Sequence, residues 1–455
     1  MSTTPTNTGG GTVTSFSNTP QATVDLFLAA QTGLTEDILK IVTLDVMAND
    51  LGGAAKTLYS LDNGISASTS TKTYAPADLL TQDTARVESM STDTSLCGAK
   101  IWITADGKVG YDATSLSATF MASLNSLSAG EFAYDTFTYA IRLGNGTLSW
   151  ATARVQFAGV NDAPVLAADA SGPHAITELA STTGSITADT ATGTLAFSDV
   201  DLTNTHTVAT ALGPVTWSGG GTLPAGLGTI LGSALSASIS HDTTGTGTGG
   251  IVGFSFSAAD KSFDFLAAGE TLTVTYNVTV FDGTATSTRP VTITITGTND
   301  APVLAADASG PHAITEQTGL TGSVALDTTG GTLAFSDVDL TNHHTVATAL
   351  GPVSWSGGGT LPIGLGTTLG AAFSASVATD STGTGSGSVG FSFGAADKSF
   401  DFLAAGETLT VTYNVTVSDG TATSTRPVTI TITGTNDAPV LAADASGPQD
   451  RKSVV

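Results

Sequence analysis

An all-β protein, built as tandem antiparallel β-sandwich modules in an elongated array, is the fold this sequence predicts, and three observations carry that expectation. The stretch GTNDAPVLAADASGP runs from Gly297 to Pro311, returns unchanged from Gly434 to Pro448, and appears from Gly159 to Pro173 with Val160 in place of threonine. The equivalent Asp162, Asp300 and Asp437 lie 300 − 162 = 138 and 437 − 300 = 137 residues apart, the length of a self-contained domain rather than of a short solenoid unit. Third, TLTVTYNVTV from Thr271 alternates, with Leu272, Val274, Tyr276, Val278 and Val280 on one face and threonines and Asn277 on the other, which is the pattern of a half-buried strand.

Taken in chain order, residues 1–22 are polar and Gly/Thr-rich and read as a flexible tail. Residues 23–160 form a divergent module. In it LTEDILKIV from Leu34 has the start of a capped helix, yet its Ile, Val and Thr content and the LDVMANDLGG that follows favour strands. The same module ends with alternating Phe137, Tyr139 and Ile141, a Gly144-Asn145-Gly146 turn and a last strand leading to Asn161-Asp162. Residues 161–298 and 299–435 are two nearly identical repeats. Each closes with a strand, an Asp-Gly hairpin turn (Asp282-Gly283, Asp419-Gly420) and a second strand opened by Pro290 or Pro427, where a missing amide costs least. The one-residue difference between the repeats falls in a Gly/Thr/Ser tract after Thr243 and Ser381, as a surface loop allows. Residues 436–448 begin a third repeat. After Pro448 the repeat calls for His-Ala-Ile-Thr-Glu, but the chain reads QDRKSVV; back-translated, residues 449–455 resemble a sequencing-adapter oligonucleotide, so a non-native terminus on a longer natural protein is expected.

Composition narrows the partners. With 39 acidic and 14 basic residues and net charge −25, binding to nucleic acid or anionic lipid is disfavoured, and cations are the natural partners. The single cysteine, Cys97, excludes an intrachain disulfide and is expected to be inert. No apolar run reaches the roughly 20 residues a membrane helix needs, and the first residues lack the charged and apolar regions of a cleaved signal, so an export address is expected elsewhere.

The motifs GTNDAPV at each boundary, DVDLTN followed by HTV early in a repeat, LTVTYNVTV with DGTATST late in it, and DVMAND with DTFTYAIRLGNGT in the first module resemble the VCBS-type and cadherin-like repeats of large bacterial surface adhesins. The resemblance spans about residues 25 to 448. It implies an immunoglobulin-like sandwich, extracellular or cell-surface display, calcium at module junctions and a part in attachment or biofilm formation. The glycine-aspartate-rich nonapeptides and C-terminal export signal usual in such adhesins are absent from this sequence.

Calcium takes about six to eight oxygen ligands, which only converging loops supply. In a sandwich the entering linker, the loop between the second and third strands and the last hairpin turn share one end. Asn161, Asp162, Asp199, Asp201 and Asp282 are therefore the candidate ligands at the first junction, and Asn299, Asp300, Asp337, Asp339 and Asp419 at the second. The resemblance adds Glu36, Glu178 and Glu316 on a first strand, reaching either end of a module. Each motif also has a plain reading: Asn-Asp-Ala-Pro as a stiff linker, Asp-Gly as a turn, Asp-Val-Asp as a loop bonded to its own backbone. Against these, eleven acids between Ala163 and Asp300 face only Lys261 and Arg289, a repulsion that a divalent ion relieves. The first module, with Asp45, Asn49 and Asp50 but Asn145 in the turn, is expected to bind calcium weakly or not at all at its N-terminal end.

Other groups favour architecture. His206 and His344 follow the Asp-x-Asp loops as hydrogen-bonding residues, and a Ser198-Asp199-His206 triad lacks a nucleophile elbow. Trp217 and Trp355 suit core packing better than sugar stacking, and the NVT sequons at Asn277 and Asn414 lie inside strands. The expected function is a non-enzymatic, calcium-stiffened stalk segment of a secreted or cell-surface adhesin, its target an unknown surface, glycan or protein. The alternative is a carbohydrate- or protein-ligand-binding module of an extracellular protein.

Overall fold

The computed structural model describes residues 21–63, 78–439 and 441. Most of the expected tail and all of residues 442–455 lie outside them.

The first unit contains β1 (Asp25–Phe27), β2 (Ile41–Leu44), β3 (Thr57–Asp62), β4 (Lys100–Ile103), β5 (Val109–Asp112), β6 (Phe132–Arg142) and β7 (Leu148–Ala158), with helices α1 (Ala29–Thr32) and α2 (Ala118–Leu124). The second holds β8 (Val165–Leu166), β9 (His174–Thr177), β10 (Ala188–Ser198), β11 (Thr207–Trp217), α3 (Leu227–Ala234), β12 (Leu235–His241), β13 (Gly250–Ala259), β14 (Thr271–Phe281) and β15 (Thr286–Thr296). The third repeats it as β16 (Val303–Leu304), β17 (His312–Thr315), β18 (Leu326–Ser336), β19 (Thr345–Trp355), α4 (Leu365–Ala372), β20 (Phe373–Thr379), β21 (Ser386–Ala396), β22 (Thr408–Ser418) and β23 (Thr423–Thr433). Each unit is two sheets face to face. Their orders are β1-β7-β6-β3 and β2-β5-β4, then β12-β13-β10-β8 and β11-β14-β15-β9, then β16-β18-β21-β20 and β17-β23-β22-β19.

The alternation read from Thr271 closes the core: Leu272, Val274, Tyr276, Val278 and Val280 are buried against Val291, Ile293 and Ile295 and, across the sandwich, Leu195, Val252 and Phe256. The Tyr276 hydroxyl donates to the Leu231 carbonyl at 2.8 Å, tying α3 to the sheet.

Four details depart from expectation. The sandwiches are antiparallel except for one parallel edge pair in each unit: β1 with β7, β9 with β15 and β17 with β23. A chain that enters a module at one end and leaves at the other runs its first and last strands the same way, and here they are neighbours. Pro290 and Pro427 sit inside β15 and β23, opposite Asn277 and Asn414, instead of opening them. They are tolerated there because β9 covers only Ile293–Thr296 of that edge and β17 only Ile430–Thr433. After Leu34 only Ile41–Leu44 is a strand, and Val46–Asn49 is a turn closed by Ala48 N–H to Asp45 O and Asp50 N–H to Met47 O. Order also begins earlier than a tail to residue 22 allows, since the amides of Gln21 and Ala22 donate to Ser149 Oγ.

Candidate metal sites at the seams

The seams are built from both neighbouring units. In the second unit β9 runs parallel to β15, which carries the Glu178 amide onto Thr296 O at 3.0 Å and so delivers Glu178 to the end from which the linker leaves. Glu178 Oε2 accepts from the linker amide of Thr298 at 2.9 Å. Asp264, between the buried Phe263 and Phe265, accepts from Gly184 N at 2.7 Å. The linker then brings Asp300, so that carboxylate oxygens of Glu178, Asp264 and Asp300 lie within 4.8 Å of one another. Asp300 N donates to Asp339 Oδ2 of the next unit at 3.1 Å. Glu178 Oε1, Asp264 Oδ1 and Asp339 Oδ1 are buried without any partner.

Electrostatics follows from that geometry. Burial, then repulsion from Asp300 and Asp264, pushes Glu178 up to about 8. Burial, then Asp337 and Asp300, pushes Asp339 up to about 8. Both are eased by one backbone amide and neither by a lysine or arginine.

The first seam gathers Glu36, Asp162 and Asp201 within the same 4.8 Å. Glu36 Oε1 accepts from Val160 N, Asp162 N donates to Asp201 Oδ2 at 3.0 Å, and Glu36 Oε2 and Asp201 Oδ1 are left buried and unpartnered. Burial, with repulsion from Asp162 and Asp201, raises Glu36 to about 7; burial, with Asp199 and Asp162, raises Asp201 to about 6. At the far end of the third unit, Glu316, Asp401 and Asp437 form the same group, with Glu316 Oε2 accepting from Thr435 N at 2.9 Å.

The ten sequence-derived candidates thus divide. Asp162 is brought to Asp201 and Asp300 to Asp339, with Asp201 Oδ1 and Asp339 Oδ1 free while Asp300 Oδ1 accepts from Thr183 Oγ1. Asp199 and Asp337 sit beside them but are occupied: Asp199 Oδ1 accepts from Asp201 N, and Oδ2 meets His206 Nε2 at 2.9 Å. His206 Nδ1 meets Asp242 at 2.6 Å; Asp337, His344 and Asp380 repeat the chain. Asp282 and Asp419 cap their own turns, each Oδ1 taking two backbone amides while Oδ2 accepts from Asn161 or Asn299. Burial opposes it, but those amides hold both aspartates below the usual carboxylate range. Asn161 and Asn299 spend their amides there and on the next carbonyl. Sequence reasoning missed Asp264 and Asp401; their signal was an acid flanked by two phenylalanines in KSFDF, a position that burial on both sides forces inward.

Trp217 and Trp355 are half-buried. Trp217 Nε1 donates to Glu270 at 2.9 Å, its ring meets Phe265 edge-on at 5.1 Å, and a Cβ at Gly219 or Gly221 would strike it. Trp355 repeats this with Glu407 and Phe402.

Each seam also has contacts that involve no carboxylate cluster. Ser128 Oγ and Thr203 Oγ1 are 2.6 Å apart at the first. At the second, Leu340 N donates to Phe265 O at 3.2 Å, and the Leu340 side chain packs on the second unit's core.

Fold and seams together define a tandem array of immunoglobulin-like β-sandwiches whose joints concentrate buried carboxylates. No protein-family model matches the chain, and no curated protein matches it. Among solved structures it is similar to the protocadherin gamma B2 extracellular cadherin domains 1–5, at 12% identity over 92% of this chain and 60% of that one, with a TM-score of 0.39. It is similar to mouse cadherin-23 EC22-24 at 13% identity, covering 92% of this chain and 96% of that one, with a TM-score of 0.35. The first three domains of mouse clustered PcdhgC3 give 10% identity, 91% and 99% coverage and a TM-score of 0.29. At such scores the likeness decides nothing about this chain, whose fold rests on its own sheets.

Proposed function

We propose that this chain is a non-enzymatic, calcium-stiffened stalk segment of a secreted or cell-surface bacterial adhesin, with ions bound at the seams and the adhesive target elsewhere. One observation carries the reading: at each seam the linker aspartate gathers with carboxylates of the flanking units, among which Glu36, Asp201, Glu178, Asp264 and Asp339 keep buried oxygens without a partner. The donor set is all oxygen, it carries several negative charges, and no lysine or arginine is among it, which suits a hard divalent ion of calcium's size. A bound ion relieves the repulsion that the apo seam holds, and it ties Asp162 to Glu36 and Asp300 to Glu178 across joints otherwise made by a few hydrogen bonds and the packing of Leu340. The motif resemblance to bacterial adhesin repeats supports display outside the cell. Among the described residues no helix is long and apolar enough to cross a membrane. A hydrolytic reading gains no support, because both nitrogens of His206 are held by aspartates.

The test is small-angle scattering and calorimetry of the chain with calcium and then with chelator. Chelation is expected to lower both the maximum dimension and the melting temperature. Identical values in the two conditions reduce the seams to passive linkers.

A further inference from the structure

The first unit holds a carboxylate pair that the seams do not use. Asp25, at the start of β1, and Asp50, after the turn that follows β2, are 8% and 7% exposed, and each has an Oδ2 that is buried without a partner. Between them stands Tyr139 of β6, itself fully buried. Its hydroxyl lies 2.7 Å from Thr23 O and 3.0 Å from Asp50 Oδ1, and it also reaches Asp25. That hydroxyl has one hydrogen for three acceptor oxygens; Asp50 Oδ1 takes the Thr23 amide at 2.6 Å as well, and the Oδ2 of each aspartate is left without a donor. Three ammoniums stand around the pair: Lys56 donates to the main-chain carbonyl of Asp50 and favours its charged form, Lys40 lines the groove that leads to Asp25, and Lys108 lies 3.6 Å from Asp45, yet the two Oδ2 atoms stay without a partner.

We propose that Asp25 and Asp50 hold a calcium ion, together with the Thr23 carbonyl, the amide oxygen of Asn49 and, at the mouth, Asp45. The requirements of a hard divalent site are met. The donors are all oxygen, two carboxylates are preorganised by a shared tyrosine, and one face is open for the waters that complete about six to eight ligands. Asn49 already lies here, its amide donating to Val24 O at 3.3 Å and reaching Asp25. An open groove lined by Asp25, Gln31, Lys40, Asp45 and Asn49 leads in from solvent. Asp25 stands outside the motifs that suggest weak or no binding at this end; pairing β1 alongside β7 is what adds it. The site is separate from the seams, since Ala22 bonds to Ser149 near the start of β7 whereas Glu36 bonds to Ala158 at its end.

Equilibrium dialysis of the full chain against radioactive calcium tests this. Asp25→Asn and Asp50→Asn are each expected to lower the number of ions bound by one per chain, while Glu178→Gln leaves this site filled and reduces only binding at the second seam. Terbium gives a second readout that leaves both carboxylates intact. Energy transfer from Tyr139 is expected to produce sensitised emission, of which Tyr139→Phe removes a distinct, calcium-competed component. Unchanged ion counts in both asparagine variants, or unchanged terbium emission in Tyr139→Phe, would show that a shared proton rather than a metal bridges the pair.

Discussion

Replacing Glu178 by glutamine should stabilise the chain in chelator and stabilise it less when calcium is added. The amide keeps an oxygen for the Thr298 N–H and loses only the charge. Glu178 ionises near 4.5 when unfolded and at about 8 in the folded chain. Between those values the unfolded chain has released a proton that the folded chain keeps, so without metal stability falls as pH rises. At about 1.4 kcal/mol per pH unit the full cost of carrying the charge is about 5 kcal/mol, and solvent screening at the seam reduces it to about 2–3 kcal/mol. In chelator at pH 8, Glu178→Gln should therefore be more stable than the parent by about 2–3 kcal/mol, and at pH 5 the two should melt together. In calcium that advantage should shrink by at least about 1.4 kcal/mol, because losing one carboxylate ligand weakens the site at least about tenfold. Calorimetry at both pH values, with calcium and with chelator, gives all four comparisons. If glutamine stabilises equally with and without calcium, no ion meets Glu178 and the seam mechanism fails.

Three further outcomes follow from the packing. Leu340→Ala should loosen the second seam by about 1–2 kcal/mol even in chelator, seen as faster proteolysis of the linker near Thr298, because its side chain packs on the neighbouring unit's core independently of any ion. Tyr276→Phe should cost about 1 kcal/mol by unfolding calorimetry through loss of the bond to Leu231, and Tyr413→Phe, which loses the bond to Leu369, should cost the same. Gly219→Ala places a Cβ 2.6 Å from both the Trp217 ring and Glu270, so it should cost about 1–3 kcal/mol and shift tryptophan emission to the red.

How much of this was legible depended on whether the signal was local. Strand alternation at Leu272 to Val280 is a property of consecutive residues, and the sheet reproduces it residue for residue. The Asp282-Gly283 turn is equally local, with Gly283 at φ 103° and Asp282 capping it. Helix α3 was concealed by Gly228, Thr229, Gly232 and Ser233, although Leu227, Leu231 and Ala234 recur at helical spacing and are the residues it buries. Which end of the sandwich Glu178 reaches was not legible at all, because that depends on β9 crossing to the other sheet and running parallel to β15, a pairing more than a hundred residues long in sequence.

The same distinction explains why the boundary stretch is so closely repeated while its motifs look like ordinary turns. Asn161, Asp199 and Asp282 spend their oxygens and amides fixing the downstream end of a joint, and Asn299, Asp337 and Asp419 do so again. The upstream end is made separately by Glu178 and Asp264, or Glu316 and Asp401. The linker aspartate is the one residue that must meet both, and at Asp437 it meets Glu316 and Asp401 although no Asp-x-Asp loop of a following unit is present among the described residues. The upstream half of the site is therefore complete before a partner arrives. A module carrying Glu, the KSFDF aspartate and Asn-Asp-Ala-Pro thus brings its own share of the joint, and the Asp-x-Asp loop of the next repeat meets it through the linker aspartate.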